Sequence, residues 1–220
     1  MVKVYAVDIR DIDFAPQWLK FVSGHKRQRF YGMRDSQSMN PTLIGDLLIR
    51  FLAIQYLGVS NQNLLFKTTE FGKPYLAESN QPFHFNLSHS GHWVVCAIDQ
   101  SPVGIDVQLM EPIDFNLAKN VLPLPAYRHY LNLPPAQQLG YFYDLWTRRE
   151  SMLKLTGQGL SDPMADPIDQ LEKQSMYFKY YKLEPEYRLA ACALSNQFEP
   201  ALLHVDVIGM VRDLSKSLQM

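Results

Sequence analysis

The sequence predicts an α+β protein whose second half repeats the rhythm of its first. Three observations carry this. Short runs, alternating at Val2 to Asp8 and Val103 to Leu109 and wholly apolar at Trp93 to Ile98, read as strands. Longer stretches with apolar residues three and four apart (Leu43, Leu47, Leu48, Phe51, Ile54) read as helices. The run R-L-A-A-C-A-L at 188–194 echoes W-V-V-C-A-I at 93–98, which hints at duplication with a join near Leu109 to Asp114.

In order, a strand at Val2 to Asp8 is followed by a helical stretch from Phe14 to about Phe30 that ends in His25, Lys26, Arg27 and Arg29. Asn40-Pro41-Thr42 opens a helix to about Tyr56, with Gly58 as its stop. F-K-T-T-E-F-G-K-P-Y-L reads as strand, turn, strand. Phe83 to Leu87 is a strand ending in a Ser88-His89-Ser90-Gly91 turn, and the strands at 93–98 and 103–109 are expected beside it as antiparallel neighbours. Helices follow at about Phe115 to Val121 and Ala136 to Leu155, and the proline-punctuated segments between them read as loops or helix ends. Strands close the pattern at about Met176 to Leu183, Tyr187 to Leu194 and Leu202 to Val207.

The 220 residues suffice to bury a substantial core. A net charge of −1 supplies no global field for nucleic acid or an anionic membrane, so an anionic ligand needs a local cluster. The first residues enter a strand pattern without a secretory layout, and the best apolar run, L-I-G-D-L-L-I-R-F-L-A-I, is broken by Asp46 and Arg50. Cys96 and Cys192 lie in apolar runs and read as buried free thiols, which suits a reducing cytoplasm.

Candidate chemistry centres on W-T-R-R-E-S-M-L-K-L-T-G-Q-G-L at 146–160 and G-I-D-V-Q at 104–108. Glu150 and Lys154 share one side of a helix, and Asp106 and Gln108 share one face of a strand. Taken singly, these are an ordinary helical ion pair and a solvated strand face. Together they offer hard oxygen ligands for Mg²⁺ and a cation for phosphate. Ser88 and His89 add small donors, Gly72-Lys73-Pro74 is a turn that fixes a lysine, and the basic cluster around Lys26 and Arg29 is a second anion candidate. Each of these is also an ordinary surface feature.

In sequence order, F-G-K-P-Y-L, then F-N-L-S-H-S-G-x-W-V-V-C-A-I, then P-V-G-I-D-V, then Y-F-Y-x-L-W-T-x-x-E-S-x-x-K-x-x-G-x-G-L resemble the signature blocks of the 4′-phosphopantetheinyl transferases, of the larger surfactin-synthetase-activating (Sfp-type) group. The resemblance runs from the first strand to about Leu194. It implies a pseudo-two-fold pair of similar α/β halves, here 1–109 and 110–220, with coenzyme A and Mg²⁺ bound between them. It implies transfer of the phosphopantetheine arm to a serine of an acyl or peptidyl carrier protein of a peptide or polyketide synthase, with release of adenosine 3′,5′-bisphosphate. Asp106 and Glu150 then match metal ligands, with Gln108 beside them. Lys154 matches a contact to coenzyme A phosphate, Lys73 and Pro74 the adenine-side turn, Ser88 and His89 the phosphate-binding turn, and Lys26 and Arg29 basic positions near the 3′-phosphate. Glu150 is the candidate base. The cleft would form within a monomer. The carrier would dock across it around Leu122, Leu124 and the segment after Gly159, or these proline-framed leucines pack inward; the sequence leaves both open.

Four positions depart from the family pattern. Gln108 stands where a second acid is usual, Arg149 replaces a lysine, Ala126 replaces a glutamate, and Ser36 to Pro41 lacks a basic pair. Gln108 motivates an alternative reading, a catalytically weakened relative that keeps coenzyme A and carrier binding. A third reading, an unrelated Mg²⁺-dependent nucleotide hydrolase, would make the resemblance coincidental.

Overall fold

The computed structural model describes residues 1–13, 15–32, 36–157 and 175–218, with no account of the side chains at 36–38 and 115. In chain order the elements are β1 (Lys3–Asp8), α1 (Gly24–Gly32), α2 (Ser36–Leu57), β2 (Phe66–Thr68), β3 (Pro74–Leu76), β4 (His84–Ser90), β5 (Trp93–Asp99), β6 (Val103–Leu109), α3 (Phe115–Val121), α4 (Leu124–Asn132), α5 (Pro135–Thr156), β7 (Tyr177–Tyr180), β8 (Tyr187–Ala193), β9 (Leu203–His204) and α6 (Val207–Ser217). A 3₁₀ turn at Pro16–Phe21 precedes α1, so the single helix expected from Phe14 to Phe30 is divided.

The repeat is visible in the topology. Each half is a strand, a 22-residue helix and an antiparallel hairpin: β1, α2, β4, β5 and then β6, α5, β7, β8. The strand orders correspond, β4-β5-β1 in one sheet and β7-β8-β6 in the other. Both long helices stop at a left-handed glycine, Gly58 (φ 66°) and Gly157 (φ 73°), where a side chain would be strained. Cys96 and Cys192 occupy the same strand of the two halves, and both are buried free thiols.

The layers run α2 with α6, the first sheet, the second sheet, then α5. One core joins Leu43, Leu47, Met210 and Leu214 of the helices to Phe85, Val94, Cys96 and Ile98 of the first sheet. A second core lies between the sheets, where Val4, Val95 and Ala97 meet Ile105, Val107 and Leu189. Period-two alternation along β5 feeds both cores, which is why Trp93 to Asp99 is buried at every position. Each fully buried leucine contributes roughly 1.5–3 kcal/mol.

The strand at Val103 to Leu109 is not in the sheet of its predicted neighbours. β6 pairs antiparallel with β8 in the second sheet. It still runs beside β4, joined through side chains: Asn86 Oδ1, Ser88 Oγ and Ser90 Oγ accept from the backbone N–H groups of Ile105 (2.9 Å), Val107 (3.3 Å) and Leu109 (2.9 Å). The N-x-S-x-S alternation of β4 therefore replaces a backbone ladder where the two sheets meet.

The proline-punctuated segments fall at helix ends: Pro123 and Pro125 begin an additional helix, α4, and Pro134 and Pro135 begin α5, where no intrahelical N–H is lost. Two further expectations change. The strand expected at Leu202 to Val207 shortens to Leu203–His204, and α6 follows it, capped by Asp206 accepting from Gly209 N. Both of these elements return to the first half: β9 pairs parallel with β1, and α6 packs on α2. Finally, α2 runs back through Pro41 to Ser36 rather than opening at Asn40.

Candidate active site between the two halves

Gly104 is where the site begins. A Cβ there would lie 1.9 Å from Ser151 O and 2.5 Å from Leu155 N, so only glycine lets α5 rest this close to β6. The close approach brings the last turns of α5, with Glu150 and Lys154, over Asp106.

Asp106 is buried, with 1% of its surface exposed, and both carboxylate oxygens are engaged. Lys154 Nζ donates to Oδ1 at 2.6 Å, Ser88 Oγ donates to the same oxygen at 3.0 Å, and Gln108 Nε2 donates to Oδ2 at 3.2 Å. Ser88 Oγ also accepts from Lys154 Nζ at 2.9 Å and from Val107 N at 3.3 Å. The hydroxyl thus uses one donor and two acceptor positions and is saturated.

Glu150 has no hydrogen-bond or ion-pair partner among the described residues, and it lines a cavity of about 300 Å³ with Gly72, Lys73, Pro74, Asn86 and Lys154. Burial holds its carboxyl above the ordinary value, and the neighbouring Asp106 charge adds to that shift against the opposing Lys154 and Arg149. A carboxylate so held can take a proton.

Lys73 sits at the tip of the β2–β3 hairpin. Its ammonium donates to three backbone carbonyls, Lys154 O (2.5 Å), Leu155 O (3.0 Å) and Val103 O (3.4 Å). Burial pushes its pKa down to about 8.

Pro74 borders a second cavity of about 260 Å³, shared with Lys26, Asp46, Phe66, Ser88 and His89. Lys26 Nζ is ion-paired with the buried Asp46, whose other oxygen accepts from Arg50 Nε at 3.1 Å. Arg29 is exposed in the last turn of α1 and lines neither cavity. Ser88 and His89 lie within β4 rather than in a turn, because the Ser90–Trp93 register moves the turn to Gly91 and His92. Neighbours on a strand face opposite ways: Ser88 Oγ reaches Asp106, while His89 is exposed and borders the second cavity. His89 is solvent-accessible at the rim, yet desolvation first and Lys154 second lower its pKa.

The structure therefore brings Ser88, Asp106, Gln108, Glu150 and Lys154 into one cluster, places Lys73 and Pro74 on its wall, sets Lys26 and His89 in the adjoining cavity, and leaves Arg29 outside. Asn86 and Asp46 are the residues the sequence reading missed. The polar i, i+2, i+4 pattern of β4 was the available signal for Asn86. Leu122 is buried against Phe142 and Tyr127 and does not face a partner, whereas Leu124 is exposed. The segment after Gly159 lies outside the described residues. Ala126 is partly buried in the same cluster as Leu122. Among the described residues no three His, Cys, Asp or Glu side chains stand together as a metal-binding group.

Two repeated α+β halves meet at an acid–lysine cluster, and comparisons with known proteins identify the family. Residues 10–101 match the family model for the N-terminal part of 4′-phosphopantetheinyl transferases, and residues 102–202 match the 4′-phosphopantetheinyl transferase superfamily. The chain is 34% identical to the 4′-phosphopantetheinyl transferase Sfp of Bacillus subtilis (strain 168), over 83% of this chain and 86% of that one. It is 31% identical to the 4′-phosphopantetheinyl transferase psf-1 of Bacillus pumilus over 98% of both chains, and 37% identical to gsp of Aneurinibacillus migulanus over 74% and 68%. The chain belongs to the 4′-phosphopantetheinyl transferase family and is a transferase of that kind.

Proposed function

We propose that the protein transfers the 4′-phosphopantetheine arm of coenzyme A to a serine of an acyl or peptidyl carrier protein of a peptide or polyketide synthase, with Mg²⁺, releasing adenosine 3′,5′-bisphosphate. The observation that carries this reading is the convergence of Ser88, Asp106, Glu150 and Lys154 beside an open cavity where the halves meet.

In the reaction the serine oxygen forms a bond to the β-phosphorus and the anhydride P–O bond breaks. Glu150, a half-buried acid with a raised pKa, accepts the serine proton. Lys154, held at the junction, offsets charge on the phosphate oxygens. Lys26 and His89 lie where the adjoining cavity would take the 3′-phosphate end.

The donor set fits a hard divalent cation. Asp106 and Glu150 are like charges close enough to raise the Glu150 pKa, and a cation relieves that repulsion. Asp106, Glu150 and the amide oxygen of Gln108 would hold it, and it would supply charge neutralisation at the pyrophosphate.

The clustered residues from both halves come from one chain, which supports a monomer. The two buried free thiols suit the cytoplasm. No helix of the described residues is long and apolar enough to cross a membrane. For the carrier, Leu124 and Leu131 lie seven residues apart and both are exposed on α4, a small apolar face for docking.

The test is to incubate the protein with coenzyme A, Mg²⁺ and an apo carrier protein and weigh the carrier. A gain of one phosphopantetheine, with adenosine 3′,5′-bisphosphate in solution, is expected. Coenzyme A binding without gain would point to the weakened relative instead.

A further inference from the structure

The β2–β3 hairpin lies in the first half of the chain, and the helix end it touches lies in the second. A single ammonium joins them. Lys73 Nζ satisfies the carbonyls of Lys154 and Leu155, in the last turn of α5, and reaches Val103 O at the start of β6. The last carbonyls of a helix generally lack intrahelical partners, and a cation there also complements the helix dipole. The hairpin is rigid at this point. Thr69 N bonds Lys73 O at 2.9 Å, Lys73 N bonds Thr69 Oγ1 at 3.1 Å, and Gly72 takes the left-handed conformation (φ 81°) that closes the turn. The methylene stem also packs at Gly157, where a Cβ would lie 3.4 Å from Lys73 Cδ.

We infer that Lys73 is a positioning residue, which braces the end of α5 against β6 and so fixes Lys154 Nζ on Ser88 and Asp106. The backbone it holds is the peptide of Lys154 itself, so freeing that turn moves the ammonium that meets Asp106 at 2.6 Å. A lysine that simply contacted the bound substrate would keep its ammonium free for the ligand. Here the donors are spent on main-chain carbonyls. The catalytic part of the inference rests on the transfer reading above, whereas the brace stands on geometry alone.

Two measurements on Lys73→Met and Lys73→Arg test it. In hydrogen–deuterium exchange on the ligand-free protein, Lys73→Met speeds exchange in 150–157 and 103–106 and leaves α2 unchanged. In steady-state transfer with coenzyme A varied, Lys73→Met lowers kcat about tenfold and moves KM for coenzyme A less than about threefold, and Lys73→Arg recovers most of kcat. Unchanged exchange in 150–157 overturns the brace, and a raised KM with unchanged kcat overturns the positioning role in favour of direct contact. If the wild-type protein modifies no carrier while the exchange result holds, the transfer reading falls and the brace remains.

Discussion

Lys154 Nζ stands 2.6 Å from Asp106 Oδ1 although 48 residues separate them, with only 1% of the Asp106 side chain exposed. A buried carboxylate stripped of its cation is costly, because the remaining charge has neither water nor a counterion. Lys154→Met is therefore expected to destabilise the fold by about 3 kcal/mol and to abolish most transfer. Urea denaturation beside a carrier-modification assay checks both. An unchanged midpoint would mean that the Lys154–Asp106 pair adds nothing to stability.

Gln108 donates to Asp106 Oδ2 at 3.2 Å. In Gln108→Glu that bond is lost and a third acid joins Asp106 and Glu150. Without divalent cation the variant should melt below the wild type. With Mg²⁺ it should reach half-maximal transfer at a concentration on the order of tenfold lower. Titrating Mg²⁺ in both assays tests the pair of effects, and a variant needing as much Mg²⁺ as the wild type would remove Gln108 from the metal's surroundings.

The Glu150 carboxyl is held above its ordinary value of 4.5 by burial and then by Asp106. The folded chain thus binds that proton more tightly than the unfolded one. Its stabilising contribution is complete below the unfolded pKa and is lost as pH rises through the folded pKa. In metal-free protein, Glu150→Gln should melt higher than wild type at neutral pH and no higher well below 4.5. Transfer by the same variant should fall by roughly 10²–10⁴, as for loss of a general base. Melting curves across pH, with saturating Mg²⁺ in the activity assay, decide the matter. Near-normal transfer by Glu150→Gln would end its candidacy as the base.

Gly104→Ala places a methyl group 1.9 Å from a backbone oxygen of α5, and backbone cannot swing aside as a long side chain can. The helix must lift from β6, at a cost of about 3 kcal/mol or more. Denaturant unfolding should register that loss, and transfer should fall even where the protein stays folded, since Glu150 and Lys154 ride on the displaced helix. Gly140→Ala is the control, because the nearest atom there is the flexible end of Arg188.

Much of this was legible in the sequence where the signal was local. The 3.6-residue period gave both long helices, and Gly58 and Gly157 marked their ends. Asp106, Glu150 and Lys154 stood out by spacing and by the family blocks around them. What did not show was set by contacts distant in sequence. β6 alternates like any neighbour of β5, and only the Asn86, Ser88 and Ser90 side chains, bonding across to its N–H groups, reveal the seam. Lys73 read as a turn lysine because its carbonyl partners lie more than eighty positions away in α5. The helix after Asp206 was hidden by the strand-like residues that precede it.

The parallel pairing of β9 with β1, and the bridge from Val2 to Phe198, have a consequence for biogenesis. The outer edge of β1 stays uncovered until β9, some two hundred residues later, has been made. Until α6 follows, the face of α2 that receives Met210 and Leu214 also stays wet. Closure of the first half is then a long-range event that the finished second half must precede, and such contacts form slowly. A nascent chain halted after β8 would present the open edge of β1 beside an already formed neighbour, and such an edge invites aggregation until β9 is made.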